Sequence, residues 1–159
     1  MSIFAQFATA FGLGRAGKAP GTLGSLAAIV IAVPVMWLTG WMGMMALALI
    51  TTLFGVWVAD GYFIEADKDD PQDCIIDEFA GQWLTCAIGG LAAMPGDPAM
   101  SWGGFVLSFL LFRLFDIAKP WLVKKAENLR GGLGIMADDI VAGVFAGIVV
   151  FLFAYSGFI

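Results

Sequence analysis

Gly131-Gly132-Leu133-Gly134-Ile135-Met136-Ala137-Asp138-Asp139-Ile140-Val141-Ala142-Gly143 leads without interruption into an apolar run that ends at Ile159. A glycine-rich turn and two adjacent carboxylates thus stand directly before a membrane-type segment. Neighbouring aspartates in that position are costly unless something positive binds there. The chemistry of the chain is therefore expected around Asp138 and Asp139.

The composition carries the same message outward. Of 159 residues, 60% are hydrophobic and 13% charged, and mean hydropathy is +0.90. A soluble domain would carry roughly a quarter charged residues. A soluble helical domain would have to hide too much apolar surface. The expectation is all-α: a polytopic membrane helical bundle of about five spans, forming one domain over residues 1–159. The net charge of −5, with no long basic block, argues against a nucleic-acid partner. Histidine is absent, which removes every mechanism built on an imidazole nucleophile or acid. Cys74 and Cys86 lack the spacing of a metal site or a disulfide framework and read as small, half-buried thiols. Arg15 and Lys18 follow the first apolar residues instead of preceding them, so no cleavable signal is expected.

Five apolar segments can be marked: about Thr22 to Leu38, Trp41 to Ala59, Phe79 to Met94, Gly103 to Ala118, and Ile140 to Ile159. Pro34 is expected to kink the first without ending it. Ile3, Phe4, Phe7 and Phe11 fall near helical spacing and predict an interfacial N-terminal helix. Between Lys119 and Arg130, Trp121, Leu122, Val123, Ala126 and Leu129 can form one face opposite Lys124, Lys125, Glu127 and Arg130, predicting an amphipathic helix on the membrane surface. With five crossings, every basic residue outside the spans falls on one side. The positive-inside rule makes that side cytoplasmic. Gly143 and Gly147, with Ala142 and Ala146, suit close helix packing.

Four clusters gather at the cytoplasmic face. Pro20-Gly21-Thr22-Leu23-Gly24-Ser25 opens a helix; its bare N–H groups and the Thr22 and Ser25 hydroxyls could hold a phosphate, or the hydroxyls could simply cap. Asp70 through Asp77-Glu78 precedes the third span, where the helix dipole accounts for one acid more easily than for two. A calcium loop beginning at Asp67 fails, because Gln72 stands where glycine is required and Pro71 intrudes. Arg113, Asp116 and Lys119 recur every three residues near the end of the fourth span. They read either as a snorkelling arginine with an internal ion pair or as two cations gripping a phosphate. In the opening stretch, Asp138 could cap the last helix, with Asp139 in its first turn, but capping needs only one carboxylate.

Paired carboxylates suit a hard cation such as magnesium, and such a metal beside a phosphate site could polarise a phosphoryl oxygen and activate water. Neither cysteine is followed by a glycine-rich turn ending in arginine, and Asp67-Lys68-Asp69 follows no strand. Asp60-Gly61 lacks the continuation expected of a CDP-alcohol phosphotransferase. Water activated by a metal remains.

Four motifs, in order along the chain, carry a resemblance. They are Ala19-Pro20-Gly21-Thr22-Leu23-Gly24-Ser25-Leu26, Asp70 through Ile76-Asp77-Glu78-Phe79-Ala80-Gly81, Phe112-Arg113-Leu114-Phe115-Asp116-Ile117-Ala118-Lys119-Pro120, and Gly131 through Asp139. Together they resemble phosphatidylglycerophosphatase A, a bacterial membrane family. Trp121-Leu122 departs mildly from the pattern, where a further proline would be expected. The resemblance implies a Mg2+-dependent phosphatase that releases phosphate from phosphatidylglycerophosphate at the cytoplasmic face of the bacterial inner membrane. It implies catalytic metal roles for Asp77, Glu78, Asp138 and Asp139, and extends a metal role to Asp70. Phosphate binding falls to Arg113 and Lys119, with Thr22 and Ser25 secondary and Asp116 orienting Arg113 or reaching the metal. It does not say which carboxylate acts as base. The expected partners are the phospholipid substrate and the bilayer.

Two other classes compete. A cation transporter or channel would use the acids as ion ligands, but it calls for ionisable groups deep in the spans, and here almost none lie there apart from Arg113 and Asp116. A phospholipid-binding scaffold with a degraded site would bind lipid without magnesium-dependent phosphate release.

Overall fold

The computed structural model describes residues 1–66, 72–93 and 100–159. Among these the chain is all-helical: α1 (Ile3–Ala8), α2 (Pro20–Ala66), α3 (Ile76–Gly89), α4 (Trp102–Ala118), α5 (Trp121–Glu127) and α6 (Gly132–Tyr155), with short 3-10 turns at Leu13–Arg15 and Gly90–Ala92. Among the described residues, two helices, Pro20–Ala66 and Gly132–Tyr155, are long and apolar enough to cross a membrane.

α2 is not one rod. At Gly40 the backbone leaves the helical region, with φ 66° and ψ −168°, a conformation open to glycine. A Cβ on Gly24 would lie 3.1 Å from Ile75 Cβ, and one on Gly55 would lie 3.7 Å from Ile76 Cγ1. A straight helix would hold those glycines roughly 46 Å apart at 1.5 Å per residue. Since both meet adjacent residues, the chain must double back, and residues 20–39 and 41–66 form a helical hairpin. Pro34 stays inside the first arm. The break falls at the Thr39-Gly40 connection, as the apolar pattern predicts.

α3 is the innermost element, packed on α2, α4 and α6, and its residues from Phe79 to Ala87 are all buried. Trp83 donates from Nε1 to the Ala28 carbonyl at 2.9 Å, so even the indole N–H is satisfied across the core. Small residues line the contacts: Ala28, Ala32 and Ala48 of α2 and Ala87 of α3 are at most 1% exposed. Without Cβ branches in the way, the backbones approach closely, which is how apolar helices gain packing when water supplies no driving force between them. The Gly143/Gly147 step behaves as expected, with Gly143 against the Gly81 backbone and Gly147 against Ile88. Cys74 and Cys86 are free and buried.

Two local expectations change. α6 begins at Gly132, not near Ile140. Its first turn follows Gly131 at φ 66°, and the Gly132 N–H donates 2.5 Å to Asp60 Oδ1 from the second arm of α2. The cap comes from another helix, so neither Asp138 nor Asp139 is needed for it. In the 121–130 segment the helix is shorter than expected. α5 ends at Glu127; Val123 is buried with Phe112, Ala142 and Ala146, whereas Trp121, Leu122 and Leu129 are exposed. Near the N-terminus, α1 packs on the second arm of α2 through Phe4 on Trp57 and Phe7 on Phe54.

Candidate active site

Four elements bring their polar residues to one end of the bundle. α3 opens with Asp77 and Glu78 in its first turn, where negative charge complements the helix dipole; Asp77 Oδ1 accepts from the Glu78 N–H at 3.0 Å. α4 closes with Arg113, Asp116 and its C-cap Lys119, whose φ of 42° turns the chain sharply. α6 contributes Asp138 and Asp139 nearly two turns inside the helix. α2 contributes its start, where Pro20 suits the first helical position.

These residues line one cavity of about 270 Å³, walled by Pro20, Gly21 and Thr22, by Asp77 and Glu78, by Arg113, Asp116 and Lys119, and by Asp138 and Asp139. A smaller cavity of about 120 Å³ adjoins it, sharing Asp77, Lys119 and Asp138 and reaching Glu127, Gly131 and Gly134. Carboxylate oxygens of Asp77, Glu78 and Asp139 lie within 4.8 Å of one another.

The charges do not balance. Among the described residues, five carboxylates meet one guanidinium and one ammonium in this cavity. Arg113 Nη1 pairs with Asp116 Oδ2 at 2.6 Å and approaches Glu78 Oε1 at 3.9 Å. Lys119 Nζ bridges Glu127 Oε1 at 2.7 Å and Asp138 Oδ2 at 3.0 Å. Burial works against the Lys119 ammonium, but the hydrogen bonds and charges of Glu127 and Asp138 outweigh it and hold its pKa above the ordinary lysine value. Glu78 Oε2, Asp139 Oδ2 and Arg113 Nε are buried with no hydrogen-bond partner among the described residues. Orphaned buried carboxylate oxygens are expensive. Their arrangement, all hard oxygen donors converging with free lone pairs, fits a divalent cation such as Mg2+. Nearby, burial pushes the Cys74 thiol up, helped by Asp77 and Glu78, so it stays a neutral packing group.

The structure brings together Asp77, Glu78, Arg113, Asp116, Lys119, Asp138, Asp139 and Thr22. It does not bring Ser25, which is fully buried and donates back to the Gly21 carbonyl at 2.8 Å; that bond is the ordinary way a helical serine satisfies itself. Asp70 lies outside the described residues. Asp138 is taken up by Lys119 and stands apart from the three-carboxylate group.

Sequence reasoning missed two residues. A Cβ on Gly21 would collide with Glu78 Oε1 and sit 2.9 Å from Arg113 Nη1; only a bare backbone leaves that cradle open. The signal was a glycine inside a helix's first turn, where a cap would not need one. Asp60, which holds the start of α6, was a lone acid near the end of an apolar run, a costly placement that asks for a partner.

A family model described as Phosphatidylglycerophosphatase A matches residues 6–154. The chain is 36% identical over 146 residues to a Bacteroides thetaiotaomicron protein named "Putative phosphatidylinositol-3-phosphatase", covering 89% of this chain and 87% of that one. It is 35% identical to the phosphatidylglycerophosphatase A of Haemophilus influenzae, over 93% of this chain and 86% of the relative. Against the protein of the same name from Escherichia coli it is 36% identical, over 91% and 80%. No solved structure matches significantly.

Proposed function

The chain belongs to the phosphatidylglycerophosphatase A family of phosphoric monoester hydrolases, and from that premise we propose that it hydrolyses the terminal phosphomonoester of phosphatidylglycerophosphate, yielding phosphatidylglycerol and phosphate. The observation that carries the reading is the pairing in one cavity of three converging carboxylates, two of them (Glu78 and Asp139) with an unpartnered buried oxygen, with Arg113 and Lys119. A cation site alone would not need the guanidinium, and a phosphate site alone would not need the acids.

Asp77, Glu78 and Asp139 would hold Mg2+, with Asp138 at the margin. Bound there, the ion supplies Lewis-acid polarisation of the phosphoryl oxygens and of the attacking water. Arg113, kept in place by Asp116, and Lys119 take the remaining phosphoryl charge, exchanging carboxylate partners for phosphate oxygens. The N–H groups at the start of α2 and the Thr22 hydroxyl complete the anion side.

The hairpin in α2 makes five passes of the bundle: both arms of α2, then α3, α4 and α6. We assign these as membrane crossings. α3 is short for a hydrocarbon core of about 30 Å, and its enclosure by other helices makes that tolerable. The site then lies at the end of the bundle that also carries Arg15, Lys18, Lys119, Lys124, Lys125 and Arg130. The positive-inside rule places that end in the cytoplasm, where a bacterial inner-membrane lipid would present its headgroup.

The test is phosphate release from phosphatidylglycerophosphate, phosphatidylinositol 3-phosphate and phosphatidic acid, each with Mg2+ and with a chelator. The reading requires chelator-sensitive release, fastest from phosphatidylglycerophosphate. Undiminished release under chelation would remove the metal, and preference for another lipid would reassign the substrate.

A further inference from the structure

Asp77 and Glu78 stand in the first turn of α3, the part of a helix that frays because its N–H groups lack intrahelical partners. Ile75, at the N-cap position, has no polar side chain with which to close that turn. The start of α3 is held instead from the N-terminal segment. The Ile75 N–H donates to the Ala8 carbonyl at 2.8 Å. Two residues back, Asp73 Oδ2 accepts from Arg15 Nε at 2.8 Å and from the Tyr62 hydroxyl at 2.7 Å. Arg15 Nη2 in turn donates to that hydroxyl at 2.9 Å. Gly14 lies flat on the same stretch, where an added Cβ would collide with the Asp73 carbonyl oxygen.

The stretch so held is also a wall of the active cavity. Gln72 and Cys74 line it, while Asp73 and Ile75 are gripped from the α1 side. Ala8, Thr9 and Ile75 are fully buried, so the attachment is packed as well as hydrogen-bonded. The turn that makes it possible is itself strained. Ala10 at φ 44° and Phe11 at φ 59° both occupy the left-handed region before Gly12 at 94°. Residues other than glycine keep that conformation only where surrounding contacts impose it. Thr9 supplies two of those contacts, its Oγ1 and its carbonyl accepting from the Gly12 and Gly14 N–H groups, each at 3.0 Å. The turn brings Arg15 back to Asp73.

We propose that the segment from Ala8 to Arg15 is a strap that positions Asp77 and Glu78 for Mg2+, with Arg15 a positioning residue acting through Asp73. The inference rests on the metal-dependent phosphatase reading and adds what holds the helix turn that carries two of its ligands. Arg15 lies outside the active cavity, and its polar partners among the described residues are Asp73 and Tyr62. Its effect therefore passes along the backbone from Asp73 to Asp77. Residues that orient metal ligands in this way change metal affinity without touching the ion.

The experiment titrates Mg2+ into purified protein in detergent, without substrate, and reads the Kd by calorimetry. Arg15→Ala should raise the Kd about tenfold, the lower end of the effect of removing a residue that supports a metal ligand. Arg15→Lys can keep the charge contact with Asp73 but not the forked bond to Tyr62, and should hold the Kd within about threefold. Ser101→Ala is the control for stability. It removes the acceptor for the Gly104 N–H at 2.9 Å, a cap at the far end of α4, and at that distance should leave the Kd within about twofold. Phosphate release by Arg15→Ala should fall at limiting Mg2+ and recover at saturating Mg2+, with the lipid KM unchanged. If Arg15→Ala fails to insert, Tyr62→Phe reads the same network, with a Kd raised about threefold, the scale of one hydrogen bond. A wild-type Kd in Arg15→Ala or in Tyr62→Phe overturns the strap, and so does an equal rise in Ser101→Ala. Wild-type protein that binds Mg2+ but releases no phosphate from phosphatidylglycerophosphate would instead sink the phosphatase reading, with the effect of Arg15→Ala on the Kd still upholding the strap.

Discussion

Gly81 of α3 and Gly143 of α6 meet backbone to backbone: a Cβ on Gly143 would fall 2.5 Å from the Gly81 carbonyl oxygen. Asp77 and Asp139 each stand four residues, one helical turn, before those glycines. Both helices start at the same end of the bundle, so the crossing carries the two carboxylates to the same level and side by side. Thr85, one turn beyond Gly81, locks the pair by donating to the Gly143 carbonyl at 3.2 Å. The distance between the acids is therefore set by two residues with no side chain.

Gly143→Ala should push α6 off α3. Forcing a methyl into such a contact costs about 1–3 kcal/mol, and the strain acts directly on the Asp77–Asp139 spacing. Phosphate release should fall more than tenfold while the protein still inserts and stays monodisperse in detergent. Activity equal to wild type would show that the crossing does not set the site.

Asp139→Asn should reduce kcat at least about 100-fold, a loss beyond that of removing a residue that merely supports a ligand. Binding gives a readout independent of turnover. Saturating Mg2+ should raise the Tm of wild-type protein through preferential binding to the folded state, and this rise should disappear in Asp139→Asn and in Asp77→Asn. An equal Mg2+ shift in all three proteins would place the ion elsewhere.

Asp60→Ala removes the acceptor for the Gly132 N–H. Loss of a cap costs about 0.5–2 kcal/mol, and because Asp60 belongs to α2, the change also frees the start of α6 from the hairpin. Thermal unfolding in detergent should occur at lower temperature, and hydrogen exchange should rise at 132–136 before it rises in α3. Uniform exchange across both helices would contradict a local capping role.

Asp73 provides the pH-dependent element outside the spans. Burial pushes its carboxyl up, but hydrogen bonds from Tyr62 at 2.7 Å and Arg15 at 2.8 Å, with the Arg15 charge, outweigh that and hold it below the ordinary value. A carboxylate depressed in the folded state contributes stability that is full above its unfolded value, near about 3.9. That stability is lost as pH falls through the folded value. The Tm gap between wild type and Asp73→Asn should thus be constant from about pH 7 to 5 and close below about pH 4. A gap that widens on acidification would refute the assignment.

Much of this was legible in the residues alone. The helical class follows from long apolar runs, since a backbone in hydrocarbon must satisfy its own hydrogen bonds. The reversal at Thr39-Gly40 shows as a polar, flexible step in an otherwise unbroken run. Asp77, Glu78, Arg113, Asp116, Lys119, Asp138 and Asp139 stand out because ionisable groups are rare and expensive in such a chain. Ser25 misled because a hydroxyl near a helix start suits a ligand, a cap or a bond to its own helix equally well. The start of α6 misled because its cap, Asp60, lies 72 residues upstream.

The sequence by itself determined which residues must find polar company, because that demand is set by each residue's own chemistry and by the hydropathy of its immediate neighbours. The tertiary structure alone decided the company each one keeps: Lys119 between Glu127 and Asp138, Gly21 open beneath Glu78 and Arg113, and Asp77 beside Asp139. Those pairings depend on where two helices cross and how closely their backbones approach. The crossing point is a property of packed surfaces, which no local pattern of residues encodes.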